Sequence, residues 1–165
     1  MQTENGKYAD GVGNHMIGGM ESNRMQLCDV KRHLQKRVFW KLLTSSVYNP
    51  TKKRIQRRIA GYERDPHVLA LAYMEEKVPV GILILREEGE STYEILDFAV
   101  LPFRRREGLG RQMLNACRRQ LPMRMILAET DDDAVGFYRK YGFSIQELGD
   151  VYHSGITRYL CRLCL

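Results

Sequence analysis

Val100-Leu101-Pro102-Phe103-Arg104-Arg105-Arg106-Glu107-Gly108-Leu109-Gly110-Arg111 is the stretch of this 165-residue chain on which the fold turns. Before it, Tyr93–Val100 is a β-prone run, apolar apart from Glu94 and Asp97. After it, Leu109, Met113, Leu114, Cys117 and Leu121 share one face of a helix over Gly108–Leu121, which Pro122 ends. A strand thus enters a glycine-containing turn that opens a helix. Free N–H groups at a helix start bind anions, and the helix dipole favours negative charge there. Gly108 and Gly110 let a phosphate approach without a Cβ in the way. Arg104, Arg105, Arg106 and Arg111 flank the turn, and a guanidinium holds phosphate oxygens in a fork. A ligand carrying several phosphates fits. The third glycine of a dinucleotide fingerprint is missing, Met113 standing in its place, and Gly-Lys-Ser/Thr does not occur.

Working outward, Val30, Leu34, Val38 and Leu42, widened by Phe39 and Leu43, predict an amphipathic helix over about residues 30–45. Asn49-Pro50 reads as the cap and first residue of a second helix, carried by Ile55, Ile59 and Tyr62 and stopped by Asp65-Pro66. Val68–Met74 and Val80–Leu85 are predicted strands, as are Met125–Ala128, Ser144–Glu147 and Gly155–Leu163. Asp131–Tyr141 is predicted as a helix closed by Gly142 in the left-handed conformation, with the three acids at its N-terminus. The sum is a mixed α/β domain over residues 24–165, a mostly antiparallel sheet flanked by helices. Residues 1–23, with Gly6, Gly11, Gly13, Gly18 and Gly19, read as a flexible glycine-rich leader.

The net charge of +6 is unevenly placed. Residues 24–64 hold twelve Lys/Arg against Asp29 and Glu63, while the segments on either side are slightly acidic. This reads first as the solvated face of two helices. The helices lack interleaved exposed aromatics and any base-reading motif, so nucleic acid is not expected as the main partner. No apolar run reaches the length of a membrane span, so no membrane partner is expected. No secretory signal follows Met1, and Cys28, Cys117, Cys161 and Cys164 read as free thiols, which points to the cytoplasm. Cys161-x-x-Cys164 has half-zinc-site spacing. In a strand, however, the two thiols face opposite ways, so no metal is expected.

Val100-x-Pro102-x-x-Arg105-Arg106-x-Gly108-Leu109-Gly110 resembles the pyrophosphate-binding motif of the GNAT acetyltransferase superfamily. At the matching distance, Ala134-Val135-Gly136-Phe137-Tyr138-Arg139-Lys140-Tyr141-Gly142-Phe143 is similar to the family's second hallmark. The resemblance covers nearly all of the chain after the leader. It implies a GNAT-like acyl-CoA N-acyltransferase fold in which the Tyr93–Val100 and Met125–Ala128 strands splay apart and acetyl-CoA lies in the gap. The pantetheine arm would pair with backbone of Phe98, Ala99 and Val100. The pyrophosphate would sit on the amides of Arg106, Gly108, Leu109, Gly110 and Arg111, with arginine side chains, Arg105 among them, neutralising it.

Direct transfer needs a neutral amine and a proton for the departing sulfur, which Tyr138 could supply. Glu94 is the leading candidate for general base, since a glutamate at the matching place serves in the histone-acetylating branch. Asp97 and an ordered-water relay stand beside it. A regular strand would put Glu94 and Asp97 on opposite faces, which a bulge would change. Where family members often carry Asn, this chain has Asp131, which puts cofactor contact there in doubt. Acids on or after the splayed strands (Glu94, Asp97, Glu129, Asp131–Asp133) would favour a cationic amine if they face the cleft, whereas the basic helices would favour an anionic one. The expectation is an N-acetyltransferase acting on an amine-bearing small molecule or protein, as monomer or homodimer. The alternative is a catalytically silent CoA-binding regulatory module.

Overall fold

The computed structural model describes residues 25–165. The predicted leader lies outside them. Seven strands form one sheet: β1 (Met25–Asp29), β2 (Val68–Glu75), β3 (Val78–Gly89), β4 (Thr92–Val100), β5 (Met125–Asp131), β6 (Ser144–Gly149) and β7 (Arg158–Cys164). Their spatial order is β1-β2-β3-β4-β5-β7-β6, and every pairing is antiparallel except β4 with β5. That parallel pair needs a crossover, which helix α3 (Leu109–Gln120) provides. The other helices are α1 (Arg37–Thr44), α2 (Lys52–Arg64) and α4 (Val135–Tyr141).

The sheet is buried on two faces by two separate cores. On one, α1 and α2 bring Phe39, Leu42, Leu43, Ile55, Ile59 and Tyr62 against Ala70, Ile82, Ile84 and Ala99. On the other, α3 and α4 bring Met113, Leu114, Val135 and Tyr138 against Leu83, Leu85, Ile95 and Ile126. Neighbouring strand residues alternate between the two, as the pleat requires.

The helix predicted over residues 30–45 is in fact three pieces. Val30 extends the β1 ladder by donating its N–H to Ala70 O, Lys31–His33 form a 3-10 turn, and α1 starts only at Arg37. The four-residue spacing of apolar residues misled because Leu34 is buried from the turn, while Val38 faces solvent at 37% exposure. Strand β1 carried too short an alternation to be read. The α2 cap is Thr51, whose hydroxyl accepts from the Arg54 N–H, rather than Asn49. Asp131 ends β5, so α4 begins four residues later than expected and has no acid in its first turn. Gly142 closes α4 at φ 119°, its N–H donating to Tyr138 O and Arg139 O. The C-terminal strand β7 lies inside the sheet, paired on both edges, so it offers no free edge to a second copy.

Candidate functional site

Strands β4 and β5 pair only from Thr92↔Met125 to Ile95↔Ala128. Beyond that β4 runs on to Val100 and β5 to Asp131 with no register between them, so a V-shaped gap opens. The cause is visible in the β3–β4 ladder: Leu85 pairs with Ile95 and Ile84 with Asp97, leaving Leu96 as an extra residue. This bulge bends β4 away from β5. It also moves Asp97 onto the α1/α2 face, where Glu94 already lies opposite Arg86. The two acids, three residues apart, therefore share a face. Past the bulge, the edge of β4 that carried β5 is unpaired along Phe98, Ala99 and Val100.

At the end of β4 the chain makes a short 3-10 turn (Pro102–Arg104), then adopts left-handed φ at Arg106 (+70°) and Gly108 (+78°) before α3 begins. The first backbone bond of α3 is Gln112 N–H to Gly108 O. The six preceding amides, Arg106 to Arg111, make no hydrogen bond among the described residues. Consecutive open N–H groups in such a turn form an anion nest. Gly110 is needed for packing, since a Cβ there would lie 3.2 Å from Phe137 Cε2 and 3.6 Å from Phe98 Cζ. At Gly108 a Cβ would meet only Gln112 Nε2, at an ordinary 4.0 Å, so among its protein neighbours glycine is required by φ alone.

The arginines divide by task. Arg104 grips Glu75 through both terminal nitrogens (2.7 and 3.3 Å) and Glu107 through Nε (2.7 Å), so it braces the loop. Arg111 donates to Lys140 O (2.7 Å) and lies over the Tyr141 ring, so its side chain ties α3 to α4 and only its amide faces the nest. Arg105 and Arg106 are exposed, with Arg105 making a long 3.5 Å contact to Ser45 O. They are the two guanidinium groups left to meet phosphates.

On the α3/α4 side, Tyr138 is 6% exposed and packed edge-on to Phe137 and Phe143. Its hydroxyl makes no hydrogen bond among the described residues, and it is not sealed from solvent. Burial, then the nearby Cys161, Asp97 and Asp131, push the phenol above its ordinary range. Asp97 and Asp131 belong to the two arms of the V. Cys161 beside it is pushed up to about 11 by burial alone, against a partial offset from Arg139.

On the other side, Glu94 sits one residue below the fork, its Oε2 2.5 Å from Arg86 Nη2. Asp97 is 5% exposed and saturated. Arg58 forks onto both carboxylate oxygens (3.0 and 3.2 Å), the Tyr62 hydroxyl donates as well, and Ser46 Oγ lies at 3.0 Å, sharing its one proton between Asp97 and Leu43 O (2.8 Å). A carboxylate with four donors has no lone pair turned to a substrate, which removes Asp97 from the candidate bases. Three of the acids expected to draw a cation also have partners. Arg158 takes Glu129 (3.0 Å) and Asp131 (3.7 Å), and Tyr159 donates to Asp132 (2.6 Å). Asp131 also closes a turn by accepting from the Asp133 N–H (3.2 Å).

Sequence reasoning missed Ser46, Arg58 and Tyr62. The available signal was Asp97 itself, an acid inside an apolar strand, together with Arg58, placed beside the Ile55/Ile59/Tyr62 stripe of α2. Cys161 is buried and Cys164 exposed, as expected of residues three apart on a strand. No cluster of three or more His, Cys, Asp or Glu side chains placed to hold a metal ion occurs among the described residues.

The family model described as the acetyltransferase (GNAT) family matches residues 36–143. Among solved structures, a GNAT family acetyltransferase from Elizabethkingia anophelis with acetyl-CoA bound superimposes with a TM-score of 0.62 at 18% identity, over 87% of this chain and all of that one (100%). Ard1 from Thermoplasma volcanium gives 0.64 at 21%, over 86% and 97%. An aminoglycoside 6'-N-acetyltransferase complexed with coenzyme A gives 0.66 at 14%, over 85% and 97%. Comparison with curated proteins finds no match.

Proposed function

The chain belongs to the GNAT acetyltransferase family, and we propose that it moves the acetyl group of acetyl-CoA directly to a primary amine. One observation carries this reading: an unpaired strand edge and a nest of six open amides meet at a fork, beside a buried tyrosine whose hydroxyl no described residue engages. The residues present fit the ligand. The amides of Arg106, Gly108, Leu109, Gly110 and Arg111, with the Arg105 and Arg106 side chains, suit a pyrophosphate. The open edge of Phe98, Ala99 and Val100 suits the amide groups of an extended arm, as an added strand does. Bound there, acetyl-CoA supplies the activated thioester.

Tyr138 stays protonated at any working pH and holds its O–H toward the departing sulfur. A hydrogen bond or proton from Tyr138 neutralises the thiolate as it departs. Glu94, oriented by Arg86, takes the ammonium proton directly or through one water. The acceptor is an amine on a small molecule or a protein. The structural neighbours include an aminoglycoside acetyltransferase and Ard1, and the acids on and after β5, only partly paired by Arg158, stand against the basic helices, so charge does not choose between cationic and anionic amines. No helix among the described residues is long and apolar enough to cross a membrane. We place the enzyme in the cytoplasm, as monomer or homodimer, with neither metal nor nucleic acid in the reaction.

The test is thermal unfolding with CoA, acetyl-CoA or ATP, followed by thiol release from acetyl-CoA across an amine panel. At 100 times its Kd a ligand stabilises by about 2.7 kcal/mol, several degrees for this size. A shift with the CoA ligands only, abolished in Gly108→Asp, is expected. No shift at saturating acetyl-CoA would overturn the proposal. A shift without thiol release from any amine would favour the silent CoA-binding module.

A further inference from the structure

The bulge that opens the fork leaves Leu96 outside both ladders: β3 skips it, and pairing with β5 has stopped one residue earlier. An extra residue of this kind strands a peptide carbonyl, and a buried carbonyl needs a donor. The donor is Arg58 Nη2 on α2, 3.2 Å from Leu96 O. The same guanidinium forks onto Asp97, the residue just after the bulge, through Nη2 and Nε. Tyr62, one turn on, accepts from Arg58 Nε (3.1 Å) and donates to Asp97. Ser46, in the α1–α2 loop, completes the carboxylate's shell, while its neighbour Ser45 meets Arg105 of the phosphate loop. One helix side chain therefore meets both the carbonyl at the bulge and the carboxylate just after it.

We propose that Arg58 and Asp97 are positioning residues for acetyl transfer: a clamp that holds the Leu96 bulge, and so keeps the β4 edge of Phe98–Val100 turned away from β5 and open to the cofactor arm. The inference rests on the proposed CoA-dependent reading. Neither residue touches the reacting atoms. Both act through the backbone of β4. The clamp spans residues 39 apart in sequence, so it sets a shape that the local sequence of β4 does not enforce. A strand with its bulge released would favour continued pairing with β5, because unpaired ladder groups are costly. The gap would narrow from its closed end.

The two parts of the cofactor report on different surfaces. The phosphoadenosine diphosphate end meets the α3 nest, and the pantetheine arm meets the clamped edge. Isothermal titration of CoA, acetyl-CoA and the phosphoadenosine diphosphate fragment is therefore run on the full chain and on Asp97→Asn, Arg58→Lys and Ser46→Ala, each checked for folding by circular dichroism. In Asp97→Asn, CoA and acetyl-CoA are expected to bind about tenfold or more weakly while the fragment binds as to the wild type. Arg58→Lys, which keeps the charge but loses the fork, should fall in the same direction by less. Ser46→Ala, which leaves the Arg58–Leu96 contact intact, should bind CoA normally. Should Asp97→Asn not fold, Arg58→Lys carries the test alone. Wild-type CoA affinity in a folded Asp97→Asn or Arg58→Lys overturns the clamp, as does an equal loss for CoA and the fragment. Failure of the wild type itself to bind CoA overturns the functional reading instead.

Discussion

Asp97 and Tyr138 stand on opposite faces of the same fork, at 5% and 6% exposure, and their polar groups are treated in opposite ways. Asp97 has four donors on its carboxylate, although burial, the largest influence on it, raises its pKa against the pull of Arg58, Tyr62 and Ser46. Tyr138 has an equally buried ring and a hydroxyl that no described residue engages. A buried group with every bond made belongs to the architecture, because breaking it leaves an uncompensated partner. A polar group held by packing but left open at its reactive atom is arranged for something that arrives later. Burial and perturbation alone would have ranked the two together as functional candidates. Their bonding separates them.

Substitutions can break that distinction, and the largest effect is expected at Tyr138. Tyr138→Phe should lower kcat by about 10²–10⁴-fold, the range for a lost acid–base group. Its melting temperature should barely move, because no protein hydrogen bond is lost. Equal losses of activity and stability would place Tyr138 with Asp97. Asp97→Ala should show the reverse emphasis, destabilising by ~3 kcal/mol as the Arg58 guanidinium loses its partner. The figure is kept at the low end because Arg58 remains 39% exposed and can turn to water. Denaturant unfolding measures it.

Glu94→Gln sharpens the comparison from a third position, half-exposed and held by one arginine. With acetyl-CoA saturating, a fall of about 10² near neutral pH is expected. The loss should shrink as rising pH deprotonates the amine without help. A pH-independent deficit would mean that Glu94 positions rather than accepts. Gly108→Ala should cost ~1 kcal/mol, the strain of a left-handed alanine. That cost should appear in the melting temperature of the free protein, because the added methyl has no neighbour nearer than Gln112 Nε2 at 4.0 Å. The smallest effect concerns the β6–β7 loop. Asp150 accepts from the Gly155 and Ser154 amides, which hold its carboxyl below the usual range. Its contribution is complete above the ordinary aspartate pKa and is lost as pH falls through the depressed one. Hydrogen exchange at Ser154 and Gly155 should therefore quicken only below about pH 4.

The legible parts of the fold were those set over a few residues. The strand and helix after Thr92, the closure of α4 at Gly142, the stop at Asp65 and the nest around Gly108 all follow from local pattern and backbone preference. The boundaries that went wrong did so where a distant partner intervened. Val30 was drawn out of a helix by Ala70 of β2, and Asp131 was held in β5 by pairing with Arg158 of β7. Of the proposed site, the sequence offered Glu94 from its place in the strand and Tyr138 from the second motif as candidates, together with the Phe98–Val100 edge that the structure leaves unpaired. The division of labour among the arginines was not. Arg104 and Arg111 were lost to Glu75 and Lys140, which lie 29 residues away on either side.

By itself, then, the sequence determined where the run of open amides lies, because a glycine turn ahead of a helix is a property of consecutive residues. Only the tertiary structure decided which face Asp97 occupies, that its partner is Arg58, and that the Tyr138 hydroxyl is left open. Those depend on one inserted residue in β4 and on a helix that reaches it from across the fold, and neither the bulge nor its clamp leaves a periodic trace in the chain.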